Sequence, residues 1–180
     1  MPVIELHIVE GYADADKTRM GAALTDAIRT VIPADPDLVT ILIHEHAHHH
    51  YMRGGTNRSG AVSHDPAQTV RDFLSAMEAR DLDTARGFLA DGFTMTFPGT
   101  APMTTLDELI AWSQPRYRFV RKTYEGFDLA GSTVYCFGTL SGEWPDGTPF
   151  DGIRFIDRFE TNAGKLTRQD VWNDMGETRT

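Results

Sequence analysis

The first 46 residues leave the chain few ways to fold. Pro2-Val-Ile-Glu-Leu-His-Ile-Val9 is rich in β-branched side chains and runs out at Gly11, the pattern of a strand. Met20, Ala23, Leu24, Ala27, Ile28 and Val31 then recur at the spacing of an amphipathic helix from about Ala15 to Ile32, with Asp14 as its N-cap and Pro33 as its stop. Leu38 to His46 reads as a second strand. Strand, helix and strand in this order form a right-handed crossover with parallel strands. Such a unit buries little surface and leaves both sheet edges open. The expectation is a homo-oligomer in which further copies complete the sheet.

Beyond it the composition shifts. Thr56 to Asp65 is polar, with Gly60 and serines, and reads as a connection between domains. Val70, Phe73, Leu74 and Met77 mark a helix over about Pro66 to Arg80, followed by a short helix near Leu82 to Ala90 and a strand from Phe93 to Phe97. Thr105 and Glu108 have the spacing of a capping box and open another helix to about Trp112. Four β-rich stretches close the chain: Phe119 to Leu129, Thr133 to Trp144, Gly152 to Glu160 and Lys165 to Asp174. Gly131-Ser132 and Ala163-Gly164 lie in hairpin turns. The expected architecture is an α+β two-domain chain: residues 1–58 as the βαβ domain, 59–65 as linker, and 66–180 as helices followed by an antiparallel meander.

The charge balance narrows the partners. A net charge of −9, with no basic segment, argues against nucleic acid and against an anionic membrane surface. No apolar run reaches the roughly 18–20 residues of a membrane span, and the N-terminus lacks a basic-plus-apolar signal pattern, so a cytoplasmic setting is expected. The single cysteine, Cys136, rules out an intrachain disulfide and a thiolate metal cage. All seven histidines lie at or before His64. Proton transfer beyond that point must therefore use carboxylates, tyrosines, lysines or solvent.

Pro2 follows the initiator methionine, and methionine before proline is normally cleaved. The secondary amine so released would belong to a class that titrates near 7.7–8.0, and a water-poor pocket favours its neutral form. It can then shuttle a proton on an enol or α-keto acid. The alternative is a proline that merely begins a strand, where its missing N–H costs nothing.

Pro2 to Gly11, the helix, Val39-Thr-Ile-Leu-Ile-His-Glu45 and Tyr51-Met-Arg-Gly-Gly55 together resemble the 4-oxalocrotonate tautomerase family over about residues 2–55. The resemblance implies that Pro2 acts as general base or acid and that the short chains assemble as oligomers, usually hexamers. Two arginines that grip a dicarboxylate in the type enzyme are replaced here by Tyr12 and Thr40. A smaller, less charged or aromatic enol suits the chain better, with Tyr12, Tyr51 and Arg53 as substrate orienters. In the run His44-Glu-His-Ala-His-His-His50, His44, His46 and His48 share a face if the strand continues. The run crosses a strand end and reads as solvated or interface-lining, with no metal and no cofactor expected.

Period-2 alternation puts Ile153, Phe155, Asp157 and Phe159 on one face of their strand and Arg154, Ile156 and Arg158 on the other. A carboxyl in an apolar row can be a general acid or base, or a donor to an enolate. Equally, it can be a structural aspartate held by a backbone amide or an arginine. The helix from Thr69 to Arg80, Phe88-Leu-Ala-Asp91, Ile156-Asp-Arg-Phe159 and Trp172-Asn-Asp174 resemble the SnoaL-like branch of the nuclear transport factor 2 superfamily over about residues 66–176. That implies a curved antiparallel sheet wrapped on helices into a cone with an apolar cavity, in which Asp157 is the catalytic carboxylate. Trp144 and Trp172 are expected to line the cavity. Phe73 and Phe97 stand where a ketosteroid isomerase would carry its tyrosine and aspartate, which argues against that activity.

Both resemblances imply keto–enol proton transfer on a small carbonyl compound. A different class remains open, in which the βαβ unit only assembles copies that carry a small-molecule-binding, cyclase or isomerase domain. Intact mass of the purified chain is expected to show loss of Met1; a retained Met1 would leave Pro2 acylated and remove it as a base.

Overall fold

The computed structural model describes residues 1–178. Contacts divide it into two compact units, Met1–Ser63 and the remainder from His64.

The first unit is a βαβ crossover. Strands β1 (Val3–Val9) and β2 (Thr40–His46) pair in parallel, from Val3 opposite Thr40 to Val9 opposite His46, with helix α1 (Asp14–Arg29) between them in sequence. Strand β2 begins two residues later than expected because Pro36–Leu38 close a 3-10 turn. The helix N-cap is Ala13, without a side-chain cap, and not Asp14. Asp14 instead sits in the first turn with Asp16, where negative charge opposes the positive end of the helix dipole. Side chains alternate across the sheet. Ile4, Leu6, Ile41 and Ile43 are half-buried and Ile8 is buried, whereas Val3 and Leu42 on the opposite face are 58% and 42% exposed. No residue of α1 is fully buried. One face of the unit is covered, and the other is bare from Val3 to His7 and at Leu42 and His44, closing only at Val9.

A hairpin appears where the sequence reading had a tail and the start of a linker. Strands β3 (Met52–Arg53) and β4 (Thr56–Asn57) pair antiparallel around Gly54 and Gly55. Both glycines have positive φ, 59° and 75°, as a tight two-residue hairpin turn demands.

The second unit begins with α2 (Pro66–Glu78), capped by Asp65, whose carboxylate accepts from the N–H groups of Ala67 and Gln68 at 3.0 and 3.2 Å. Helix α3 (Leu82–Gly87), strand β5 (Leu89–Thr96) and helix α4 (Leu106–Ser113) follow. The expected capping box is present: Thr105 accepts from the Glu108 N–H, and the Glu108 carboxylate accepts from the Thr105 N–H. Strands β6 (Phe119–Ala130), β7 (Thr133–Glu143), β8 (Pro149–Asn162) and β9 (Lys165–Asn173) form an antiparallel meander, and a last short helix α5 spans Met175–Thr178. The sheet order is β5-β9-β8-β7-β6. Its one departure from the antiparallel expectation is β5, which lies parallel to β9. The chain leaves β5 through α4 to start the meander at the far edge, and β9 then closes on β5 running the same way.

Strand β8 shows the expected parity. Ile153, Phe155, Asp157 and Phe159 are all at most 3% exposed, while Ile156 is 47% exposed. Phe159 meets Phe73 of α2 edge-on with ring centroids 6.0 Å apart, joining sheet to helix. Register shifts near Gly126, Gly142 and Thr161 bend the sheet around the helices. At Gly138 a Cβ would stand 2.0 Å from the Thr123 carbonyl oxygen, so no other residue fits between β6 and β7 there. No helix among the described residues is long and apolar enough to cross a membrane.

Phe159→Ala is expected to cost about 3–5 kcal/mol of unfolding free energy. Gly138→Ala should cost about 1–3 kcal/mol by forcing β6 and β7 apart. Both are read as lower urea midpoints.

Candidate functional site

The bent sheet and the helices of the second unit enclose a cavity of about 310 Å³. Its walls come from Phe73, Leu74 and Met77 of α2, Leu109 and Ile110 of α4, and Phe97 and Tyr117 on the connecting segments. Strand β6 contributes Val120, Lys122 and Tyr124, half-buried at alternate positions, and the exposed Arg121 borders the cavity as well. Gln169 of β9 completes the floor. Apolar and aromatic side chains make up most of the lining, and Glu78, Arg80, Ser113 and Arg121 add polar and charged groups to it.

Asp157 lies beneath that floor with no exposed surface. Two cavity-lining side chains reach it: the Lys122 ammonium donates to its Oδ2, and the Gln169 amide lies 3.4 Å from the same oxygen. Lys122 Nζ also stands over the Phe155 ring, 4.7 Å from its centroid. The other carboxylate oxygen, Oδ1, is buried with no hydrogen-bond partner among the described residues. A lysine is therefore the charged partner of Asp157, and among the described residues neither a backbone amide nor an arginine bonds its carboxylate. Asp157 meets the cavity through Lys122 and Gln169. The signal for Lys122 was in the sequence, since a lysine between Val120 and Tyr124 at period 2 shares their face.

The surroundings act on neighbouring protons. Burial, reinforced by Cys136 and Asp157, raises the Tyr124 phenol well above its ordinary range. Burial also raises Tyr117. The Cys136 thiol is pushed up to about 12, first by burial and then by the Asp157 charge. Both phenols therefore remain hydrogen-bond donors at neutral pH, and Cys136 stays a protonated, inert thiol.

Neither tryptophan expected at this cavity lines it. Trp144 packs on Phe150 with ring centroids 4.5 Å apart. Trp172 is 54% exposed and registers opposite Ile156 on the outward face of the sheet.

In the first unit the structure brings Tyr12, Tyr51 and Arg53 together around a depression of about 360 Å³, shared with His7, Arg58 and Ser59. The Tyr12 hydroxyl accepts from the Ala61 N–H at 3.1 Å. Pro2 is not among them. It stands at the other end of β1, where its carbonyl accepts from the Thr40 N–H at 3.0 Å. At about 3.3 Å per residue, the strand separates Pro2 from this cluster by roughly 20 Å within one chain.

The expected histidine face also changes. Strand β2 ends at His46, and His48–His50 form a 3-10 turn, so His48 leaves the row of His44 and His46. It turns instead to Glu10, whose carboxylate accepts from the His48 backbone N–H at 3.1 Å; that bond is the main cause of its lowered pKa.

Residues 70–169, more than half of the chain, match the SnoaL-like domain family. The chain belongs to that family. Residues 2–59 match the tautomerase enzyme family. Among solved structures, the SnoaL-like unit is similar to a nuclear transport factor 2-like protein of unknown function from Burkholderia pseudomallei, at 21% identity and a TM-score of 0.57 over 63% of this chain and 93% of that one. It is similar to a putative SnoaL-like polyketide cyclase from a Jannaschia species, at 14% identity and TM-score 0.52 over 66% and 94%. It also resembles an epoxide hydrolase from Mycobacterium tuberculosis, at 18% identity and TM-score 0.51 over 62% and 84%. At such identities the likeness establishes the α+β cone fold. No curated protein matches the chain.

Removing one partner of a buried ion pair strands the other, so Lys122→Met should destabilise the SnoaL-like unit by about 3–5 kcal/mol, with Lys122→Met/Asp157→Asn recovering much of the loss in urea denaturation. Because the folded pKa values of Tyr124 and Cys136 are raised, the stability they contribute is complete below the ordinary thiol and phenol ranges. It should decline as pH rises above about 9–10, which thermal melts across that range would read.

Proposed function

We propose that this chain is an enzyme of keto–enol proton transfer, acting on a small enolisable carbonyl compound of aromatic or α-keto acid type held in the cavity of the SnoaL-like unit. The observation that carries this reading is the Lys122–Asp157 pair at the floor of an apolar, aromatic-walled cavity. A ligand enol whose hydroxyl and α-carbon both lie against Lys122 Nζ is placed for proton exchange where water is scarce. Nζ delivers a proton to the α-carbon and takes the hydroxyl proton in return, which isomerises the substrate and restores the lysine. Asp157 keeps its place as the counter-charge that holds Nζ. The protonated Tyr117 and Tyr124 face the same space as hydrogen-bond donors.

Pro2, freed of Met1, is a second proton-transfer centre, as the match to the tautomerase enzyme family suggests. Tyr12, Tyr51 and Arg53 then orient substrate for the Pro2 of another copy, since roughly 20 Å of β1 separates them within one chain. This requires a homo-oligomer. A second reading is favoured by the bare sheet face with exposed Val3 and Leu42: the tautomerase-like unit serves only to assemble copies of the SnoaL-like unit.

Ketonisation of an aryl enolpyruvate separates these readings. Lys122→Met, checked for retained fold by circular dichroism, is expected to lower kcat/KM at least 100-fold, and Asp157→Asn to lower kcat. Full activity in both variants, with loss in Pro2→Ala, would move the chemistry to the first unit. Background rates in wild type would reject proton transfer on this substrate class.

A further inference from the structure

The bare face of the first unit carries donors to which the proton-transfer reading gives no role, although one of them, His7, also borders the depression of Tyr12, Tyr51 and Arg53. Counting along the parallel strands, Glu5 and His7 of β1 emerge on the same side as Leu42, His44 and His46 of β2, with His7 directly opposite His44. One donor atom from each of Glu5, His7 and His44 lies within 4.8 Å of the others. All three residues are exposed. The imidazoles form a stack, with His7 in the middle, 4.8 Å from His44 and 5.1 Å from His46 between ring centroids.

We infer that Glu5, His7 and His44 form a binding site for a divalent transition-metal ion of the zinc, cobalt or nickel class. Two imidazole nitrogens and one carboxylate oxygen suit such borderline ions and not calcium or magnesium, which take oxygen donors. Bonds of about 2.0–2.1 Å in a tetrahedral site place donors about 3.4 Å apart. Side chains now within 4.8 Å need only small rotations to reach that spacing, and their exposure leaves them free to make them. Among the described residues, neither the Glu5 carboxylate nor a ring nitrogen of His44 has a hydrogen-bond partner to give up.

His46 supplies the support such a site requires. Its Nε2 lies 2.9 Å from His7 Nδ1. That bond commits Nδ1 of His7 and leaves Nε2 as the nitrogen available to metal, so His46 is a positioning residue. A fourth place in the tetrahedron remains for water. The donors come from two neighbouring strands, and the ordered sheet register holds them together. The adjacent run His48–His50 sits on a separate turn and forms no part of the site.

Cobalt(II) is the probe, titrated into the full chain without an affinity tag and read by the visible absorption of tetrahedral coordination. One ion per chain is expected, displaced by zinc. The cobalt dissociation constant should rise at least tenfold in His7→Ala, His44→Ala and the shape-preserving Glu5→Gln, and about tenfold in His46→Ala. It should be unchanged in the triple variant His48→Ala/His49→Ala/His50→Ala. Wild-type affinity in His7→Ala or His44→Ala would overturn the assignment, as would no tetrahedral band in wild type. Loss of binding in the triple variant alone would assign the ion to the turn and overturn it equally. Metal-free melting temperatures of the variants, expected to match wild type at these exposed positions, guard against misfolding as the cause.

Discussion

A carboxylate with no exposed surface needs a cation at hand, and the SnoaL-like unit is built around that requirement. Asp157 occupies the middle of β8, in a row with Ile153, Phe155 and Phe159. Its partner, Lys122, comes from β6, and β7 lies between the two strands. Gly138 falls on β7 opposite Tyr124 on one side and Phe155 on the other, where a Cβ would run into the Thr123 carbonyl of β6. The same glycine lets β6 press against β7 and tighten the bend. Sheet curvature, cavity and ion pair therefore depend on one another.

The two units solve the problem of burial differently. In the SnoaL-like unit, Phe73, Phe159, Met95, Leu106 and Leu166 are essentially inaccessible, and helices and sheet close a core of their own. In the βαβ unit only Ile8 and Val9 approach that condition. Its helix shields one side of a two-stranded sheet and leaves the other to solvent. Polar and ionisable groups, Glu5 and the imidazoles, occupy part of that open side in place of a second apolar layer.

Much of this was legible in the sequence because it rests on period and local chemistry. Alternation in Ile153 to Phe159 sorted the faces of β8, the i, i+3, i+4 recurrence located α1 and α2, and Thr105 with Glu108 announced the start of α4. What stayed hidden depends on partners far apart in the chain. Alternation assigns Asp157 to the inner face but does not say which strand faces it, and Lys122 stands 35 residues earlier. Trp172 shows the same limit from the other side: an aromatic at a plausible spacing, turned outward by a register shift between Glu160 and Thr161 that no local pattern signals. The parallel pairing of β5 was hidden for a like reason, since strand direction at a sheet edge is decided by the path of the whole meander.

That edge pairing has a bearing on how the molecule comes to exist. Strand β5 has one neighbour, β9, the final strand of the chain. During synthesis Leu89 leaves the ribosome long before Leu166, the residue it pairs with, so apart from the local bridge between Met95 and Met103 the strand must wait for its partner while the meander is made. Contacts of such long range are slow to form, because the loop between them must first be ordered. The helices that precede β5 likewise have no finished sheet to cover until β9 arrives. The βαβ unit is under no such delay, since all of its strands precede the second unit in the chain. Maturation of this protein is thus staged by its topology, with the ligand-sized hollow closing last.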